Sequence, residues 1–114
     1  VQRQFRLTRS ADFKRVRRLG KSFAHPLVVL VAVKGSALHI GVTAGRTVGN
    51  AVRRNRAKRL LREAARMLLP DMCPGWELLL IARQPLPDAN LARTCQALES
   101  LFTQASLIAR PHES

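Results

Sequence analysis

The sequence predicts a single α+β domain, ordered α-β-β-α-β-α, with a further short strand at 22–24, split off by Pro26, that makes the order α-β-β-β-α-β-α. Three observations carry this reading. Residues 27–33 form an unbroken aliphatic, mostly β-branched run, and residues 50–69 repeat apolar positions at helical spacing. An apolar share of 46% over 114 residues suits one ordinary core and leaves no room for a second domain.

Val1 to Arg9 is polar and basic, with Phe5 and Leu7 interspersed, and is expected to be flexible. Thr8 or Ser10 can cap a short helix running to about Leu19, where Gly20 is a natural stop. In that helix Phe13 and Val16 can face a core, which leaves Lys14, Arg15, Arg17 and Arg18 as a cationic outer surface. Leu27 to Val33 reads as a strand, limited at its start by Pro26 and followed by the turn residues Lys34-Gly35-Ser36. Leu38, Ile40 and Val42 then alternate with His39, Gly41 and Thr43, the pattern of a strand with one buried face. The two strands are expected to pair as a hairpin. Gly45 to Gly49 is a loop; it lacks the Gly-Lys-Ser/Thr ending of a phosphate loop, although a helix N-terminus at Asn50 could hold a phosphate through free amides. The next helix runs from about Asn50 to Leu69 and is ended by Pro70 and Pro74-Gly75. A last strand covers Trp76 to Arg83. Asp88 is placed to cap a final helix in which Leu91, Cys95, Leu98, Leu101, Phe102 and Ala105 fall at helical spacing. Residues 110–114 are expected to fray. The strand at 37–44, the helix at 50–69 and the strand at 76–83 form a βαβ unit, for which parallel strands and a right-handed crossover are the general expectation.

Charge is unevenly spread. Residues 1–66 hold 17 basic and 2 acidic side chains, whereas residues 67–114 hold 3 and 5, within an overall +13. Self-repulsion of this size in one region points to a polyanionic partner. The densest part is the helix at 50–69. At about 100° per residue, Ala57, Leu60, Leu61, Ala64 and Leu68 gather on one side, and Asn55, Lys58, Arg59, Arg62 and Arg66 on the other. Glu63 can offset Arg59 or Arg66 but not the remaining cations, so the face is not a surface laced with salt bridges.

Several classes of function are disfavoured. The longest apolar run, Leu27 to Val33, is far short of the ~20 residues of a bilayer span, and no signal-peptide pattern is present, so no membrane and a cytoplasmic setting are expected. A membrane-surface helix would carry Trp or Phe anchors where this one has alanines. A helix-turn-helix needs a helix just before the basic one, where a strand is read instead, so DNA is not expected. His25, His39 and His112 have no acidic neighbours in sequence and the carboxylates are scattered, so no protein-borne catalytic residues are expected. Cys73 and Cys95 lack zinc-ligand spacing and read as two reduced thiols, so no metal or other cofactor is assigned to the protein. RNA is the favoured partner, because a rigid arginine-dense helix can bridge phosphates of folded or single-stranded RNA. Phe13 and Phe23 are the aromatic candidates for base contact; Trp76 and Phe102 read as packing residues.

The run Gly49-Asn50-Ala51-Val52-Arg53-Arg54-Asn55-Arg56-Ala57-Lys58-Arg59-Leu60-Leu61-Arg62-Glu63 closely resembles the signature helix of the bacterial ribonuclease P protein subunit. Arg6-Leu7, Asp12-Phe13, Ile40-Gly41-Val42 and Leu80-Ile81-Ala82-Arg83 fall in that family's order and approximate spacing. The resemblance implies about four strands and three helices, with a left-handed crossover around the signature helix in place of the general right-handed one. It also implies an RNA-catalysed endonuclease whose RNA subunit, with Mg²⁺, removes the 5′ leader of precursor tRNA, the protein being an accessory. On that resemblance Arg46, Arg53, Arg54, Asn55, Arg56, Lys58, Arg59, Arg62 and Arg66 would contact the catalytic RNA. Phe13, Arg17, Val29, Val31 and Thr43 would line a cleft for the single-stranded leader. The chain departs from the family at Arg46-Thr47, where two lysines are common, at Arg17, where a second aromatic is frequent, and at Val31, where some relatives carry tyrosine. These departures imply leader recognition that leans on charge more than on stacking. The alternative is a structural RNA-binding protein such as a ribosomal component, which would need the same charge and no leader cleft.

Overall fold

A computed structural model describes residues 10–35 and 38–107, with residues 10–12 described in their backbone alone. The ends expected to be flexible, the Thr8 cap, Phe5, Ser36 and His112 lie outside the described residues. The elements are α1 (Ser10–Leu19), β1 (Lys21–Ala24), β2 (Val28–Lys34), β3 (His39–Thr43), α2 (Ala51–Leu68), β4 (Trp76–Ala82) and α3 (Leu91–Gln104). Single 3₁₀ turns at Arg46–Val48, Leu69–Asp71 and Leu86–Asp88 join them.

The sheet order is β1-β2-β4-β3, with β1/β2 and β2/β4 antiparallel and β3/β4 parallel. The expected hairpin of β2 with β3 is therefore wrong: β4 lies between them. Alternation marks a strand but not its neighbour. β4 reads Trp-Glu-Leu-Leu-Leu-Ile-Ala, with Leu78, Leu79 and Leu80 all fully buried, so it needs cover on both faces and a partner on both edges. β2 ends opposite Trp76 and β3 begins opposite Glu77, so both strands meet β4 at its start, one on each edge. The Gly35 N–H donates to the Gly75 carbonyl at 2.9 Å.

The two faces of the sheet carry separate cores. On one, Leu30, Ile40, Leu78 and Leu80 pack with Ala57, Leu61, Ala64 and Ala65 of α2 and with Leu98, Leu101 and Phe102 of α3. On the other, α1 lays Val16 on Val31 and Leu79, flanked by Phe13, Val29, Val33 and Ile81. This explains the near-continuous apolar run of β2: odd positions serve α1 and even positions serve the larger core.

Two local expectations are corrected. Asp88 does not cap α3. It sits inside its own 3₁₀ turn, and Asn90 takes the cap, its side chain accepting the Arg93 N–H at 2.8 Å. Arg15 is not part of an open cationic surface. It is half-buried and grips Glu77 of β4 with both terminal nitrogens, at 2.7 and 2.6 Å, tying α1 to the centre of the sheet. Cys73 is exposed and Cys95, half-buried beside Met67, packs against the larger core; neither is bonded to the other.

Candidate nucleic-acid interface

Asn50 opens α2, its side chain accepting the Arg53 N–H at 3.0 Å, so that amide is no longer open to a phosphate. From there the helix divides into three stripes. Ala57, Leu61, Ala64 and Ala65 are buried in the larger core, with Leu60 and Leu68 partly so, as the apolar spacing requires. Arg54, Lys58 and Arg62 follow at four-residue steps along one flank, each half-buried. Asn55, Arg59 and Arg66 point to solvent, and Arg46 is exposed in the loop before the helix.

The opposite flank is different. Arg53 donates from Nε to the Val48 carbonyl at 3.0 Å and from its terminal nitrogens to both Asp88 oxygens at 3.0 and 3.1 Å. Arg56 donates to the carbonyls of Pro87 at 2.6 Å and Ala89 at 3.4 Å. On the solvent stripe, Arg66 pairs with Glu63 one turn back, as spacing allowed. The Arg66–Glu63 and Arg53–Asp88 pairs each hold the carboxyl below its usual range, chiefly through the hydrogen bond from the arginine. Among the described residues no carboxylate forms a salt bridge with Arg46, Arg54, Lys58 or Arg59. Arg54 Nε is buried and has no hydrogen-bond partner among the described residues, a donor that an incoming anion would satisfy.

The sheet face under α1 holds the other set. The register aligns Val29 with Ile81 and Ile81 with Thr43, so three neighbouring strands present a half-open strip beside Phe13, itself half-buried on α1. Arg17 is exposed on the same helix. Val31 is 2% exposed, covered by α1 with Val16 and Leu79, and therefore supports the floor from beneath the helix. Ile81 belongs to this strip and was not among the expected cleft residues. Its strand is apolar at every position from Leu78 to Ala82, so sequence gives no cue to which residues face which side. Phe23 packs partly against the larger core, under the Lys21 ammonium at 5.6 Å, which leaves Phe13 as the aromatic at the strip.

The histidines are dispersed: His25 accepts the Leu27 N–H through Nδ1 at 3.1 Å, and His39 lies across from Glu77 in the sheet. Among the described residues no group of three or more His, Cys, Asp or Glu side chains is placed to hold a metal ion, and no helix is long and apolar enough to cross a membrane.

The fold and its surface thus define a small α+β domain built to bind a polyanion, with a cation-studded helix on one layer and a half-open sheet face on the other. The family model for ribonuclease P matches residues 1–106. The "Ribonuclease P protein component" of Symbiobacterium thermophilum is 38% identical over 113 residues, covering 96% of this chain and 98% of that protein. The protein of the same name from Herpetosiphon aurantiacus is 37% identical over 109 residues, covering 94% and 89%. The solved RNase P protein of Staphylococcus aureus superposes with a TM-score of 0.78 at 26% identity, covering 92% of this chain and 98% of that one. The chain belongs to the ribonuclease P protein family.

Proposed function

We propose that the chain acts in tRNA 5′ maturation, as the protein subunit of ribonuclease P, by holding two RNAs at once. The catalytic RNA subunit lies along α2, against Arg46, Arg54, Asn55, Lys58, Arg59 and Arg62. The single-stranded 5′ leader of precursor tRNA lies on the strip formed by Val29, Ile81 and Thr43, with Phe13 for a base to stack on and Arg17 for a phosphate. The observation that carries this reading is the separation of charge on α2. Its core stripe is uniformly apolar, whereas Arg54, Lys58 and Arg59, on the flank and the solvent stripe, form no salt bridge with any carboxylate among the described residues.

On this reading the RNA subunit, with Mg²⁺, breaks the phosphodiester bond in the cytoplasm. The protein's residues bind, orient and screen. Each cation that replaces a condensed counterion lowers the repulsion between catalytic RNA and substrate, so affinity falls steeply with added salt. A structural ribosomal protein would need the same charge, but family membership and the half-open strip favour the ribonuclease P subunit.

Reconstitution with the RNA subunit tests the proposal. Affinities of precursor and mature tRNA are measured with and without the protein. The protein is expected to strengthen precursor binding well beyond mature binding, since the mature product has no leader to lie on the sheet. Equal strengthening of both removes the leader role.

A further inference from the structure

Arg53 stands by motif among the cations of α2, yet every nitrogen of its guanidinium donates inside the protein. Nε reaches the Val48 carbonyl, one terminal nitrogen reaches Asp88, and the other reaches both Asp88 and the Gln84 carbonyl at 3.3 Å. One side chain thus joins the loop before α2, the helix itself and the link between β4 and α3. Its route passes over Gly49, where a Cβ would lie 2.8 Å from Arg53 Cδ and 3.0 Å from its Nε. Gly49 also has φ of +132°, a conformation that strains any L side chain. One turn on, Arg56 holds the same link at the Pro87 and Ala89 carbonyls.

We infer that Arg53 is a positioning residue: with Gly49 as its slot and Asp88 as its far anchor, it fixes the Arg46 loop against the start of α2 so that both meet RNA in one geometry. Its own cation is not spent on a phosphate. This rests on the RNA-binding reading above. The Asp88 carboxylate is 68% exposed, so the pair adds little to global stability, and its role is geometric. A bidentate fork sets direction as well as distance.

Charge and geometry make opposite demands on Asp88, which gives the test its sign. Removing a carboxylate beside an RNA-binding face and freeing a guanidinium for phosphate should, by charge alone, tighten binding and steepen its salt dependence by about one unit of slope. Positioning requires the reverse. Asp88→Asn is expected to bind the RNA subunit of ribonuclease P roughly two- to fivefold more weakly, with the slope unchanged and the melting temperature close to wild type. Asp88→Glu should recover much of the loss. Gly49→Ala alters no charge and should weaken binding in the same direction, so it carries the test where Asp88→Asn proves unstable. Binding by Asp88→Asn as tight as wild type or tighter, with the steeper slope, overturns the assignment. Failure of the wild type to bind the RNA at all would instead remove the underlying reading, and the two outcomes are distinct.

Discussion

Gly20→Ala should loosen α1 from the sheet while leaving the cation-bearing helix in place. The Gly20 N–H donates to the Val16 carbonyl at 2.8 Å as α1 ends, and there the helix presses directly on β2. A Cβ at this position would lie 2.5 Å from Val31 Cγ1, 2.6 Å from the Val16 oxygen and 3.0 Å from the Ala32 oxygen. Two of these are backbone atoms and the third belongs to a valine 2% exposed, so none can swing away. Relief requires α1 to lift, which parts Val16 from Val31 and Leu79 and carries Phe13 off the strip. Overpacking of this kind costs about 1–3 kcal/mol, against a total stability of about 5–15 kcal/mol for a domain of ordinary size. At about 4–8 °C per kcal/mol, the melting temperature should fall by roughly 5–20 °C. The larger core is not touched, so binding of the RNA subunit through α2 should persist while the preference for leader-bearing tRNA shrinks. Thermal denaturation followed by circular dichroism, and the affinity ratio of precursor to mature tRNA in the reconstituted enzyme, measure the two effects. Gly45→Ala is the control, because a Cβ there meets nothing within 4 Å. If Gly20→Ala melts with the wild type and keeps the full leader preference, the reasoning about α1 is wrong.

Arg54→Ala and Arg62→Ala should each weaken RNA binding and reduce the salt slope by about one unit, with the circular dichroism spectrum unchanged. Leu61→Asp should fail to fold, since Leu61 is fully buried and an unpaired carboxylate there costs several kcal/mol; a cooperative melt for this variant would show the faces of α2 to be misread. Glu77 gives a pH dependence of known sign. Hydrogen bonds from Arg15 hold its carboxyl below the usual range, outweighing burial. A carboxyl with a lower pKa folded than unfolded adds stability above its unfolded pKa and loses it as pH falls through the folded value. The stability advantage of wild type over Glu77→Gln should therefore be about 0.5–1 kcal/mol near neutrality, modest because Arg15 is partly exposed, and should close below about pH 4. Denaturant titrations from pH 7 to 3 measure it, and a constant gap contradicts the assignment.

The elements themselves were legible because each is written in local chemistry. Asn50, Gly20 and Pro70 punctuate the helices, and the alternation over 38–43 marks a strand with one buried face. The parallel pairing of β3 with β4 followed from the helix between them. Strand neighbours were not legible, because the apolar run of β4 tells that it is central only once β2 and β3 are seen to need it. Side-chain partners far apart in sequence were equally hidden. Arg15 and Glu77 are 62 residues apart and Arg53 and Asp88 are 35 apart, so two cations that read as open surface are engaged within the fold. At the interface, the cationic stripe of α2 was legible from periodicity alone. Ile81 was not, because every residue from Leu78 to Ala82 is apolar and none of them marks which side faces the strip.

Which surface of the domain meets the catalytic RNA can be read directly by local cleavage. A chelated iron tethered to a single cysteine, in a background where Cys73 and Cys95 are replaced by serine, cleaves RNA near the site of attachment. Attachment at Asn55→Cys on the exposed stripe of α2 should cut the ribonuclease P RNA at a few defined positions, and attachment at Ser100→Cys on the exposed side of α3 should leave it intact. Cutting from position 100 with none from position 55 would contradict the account.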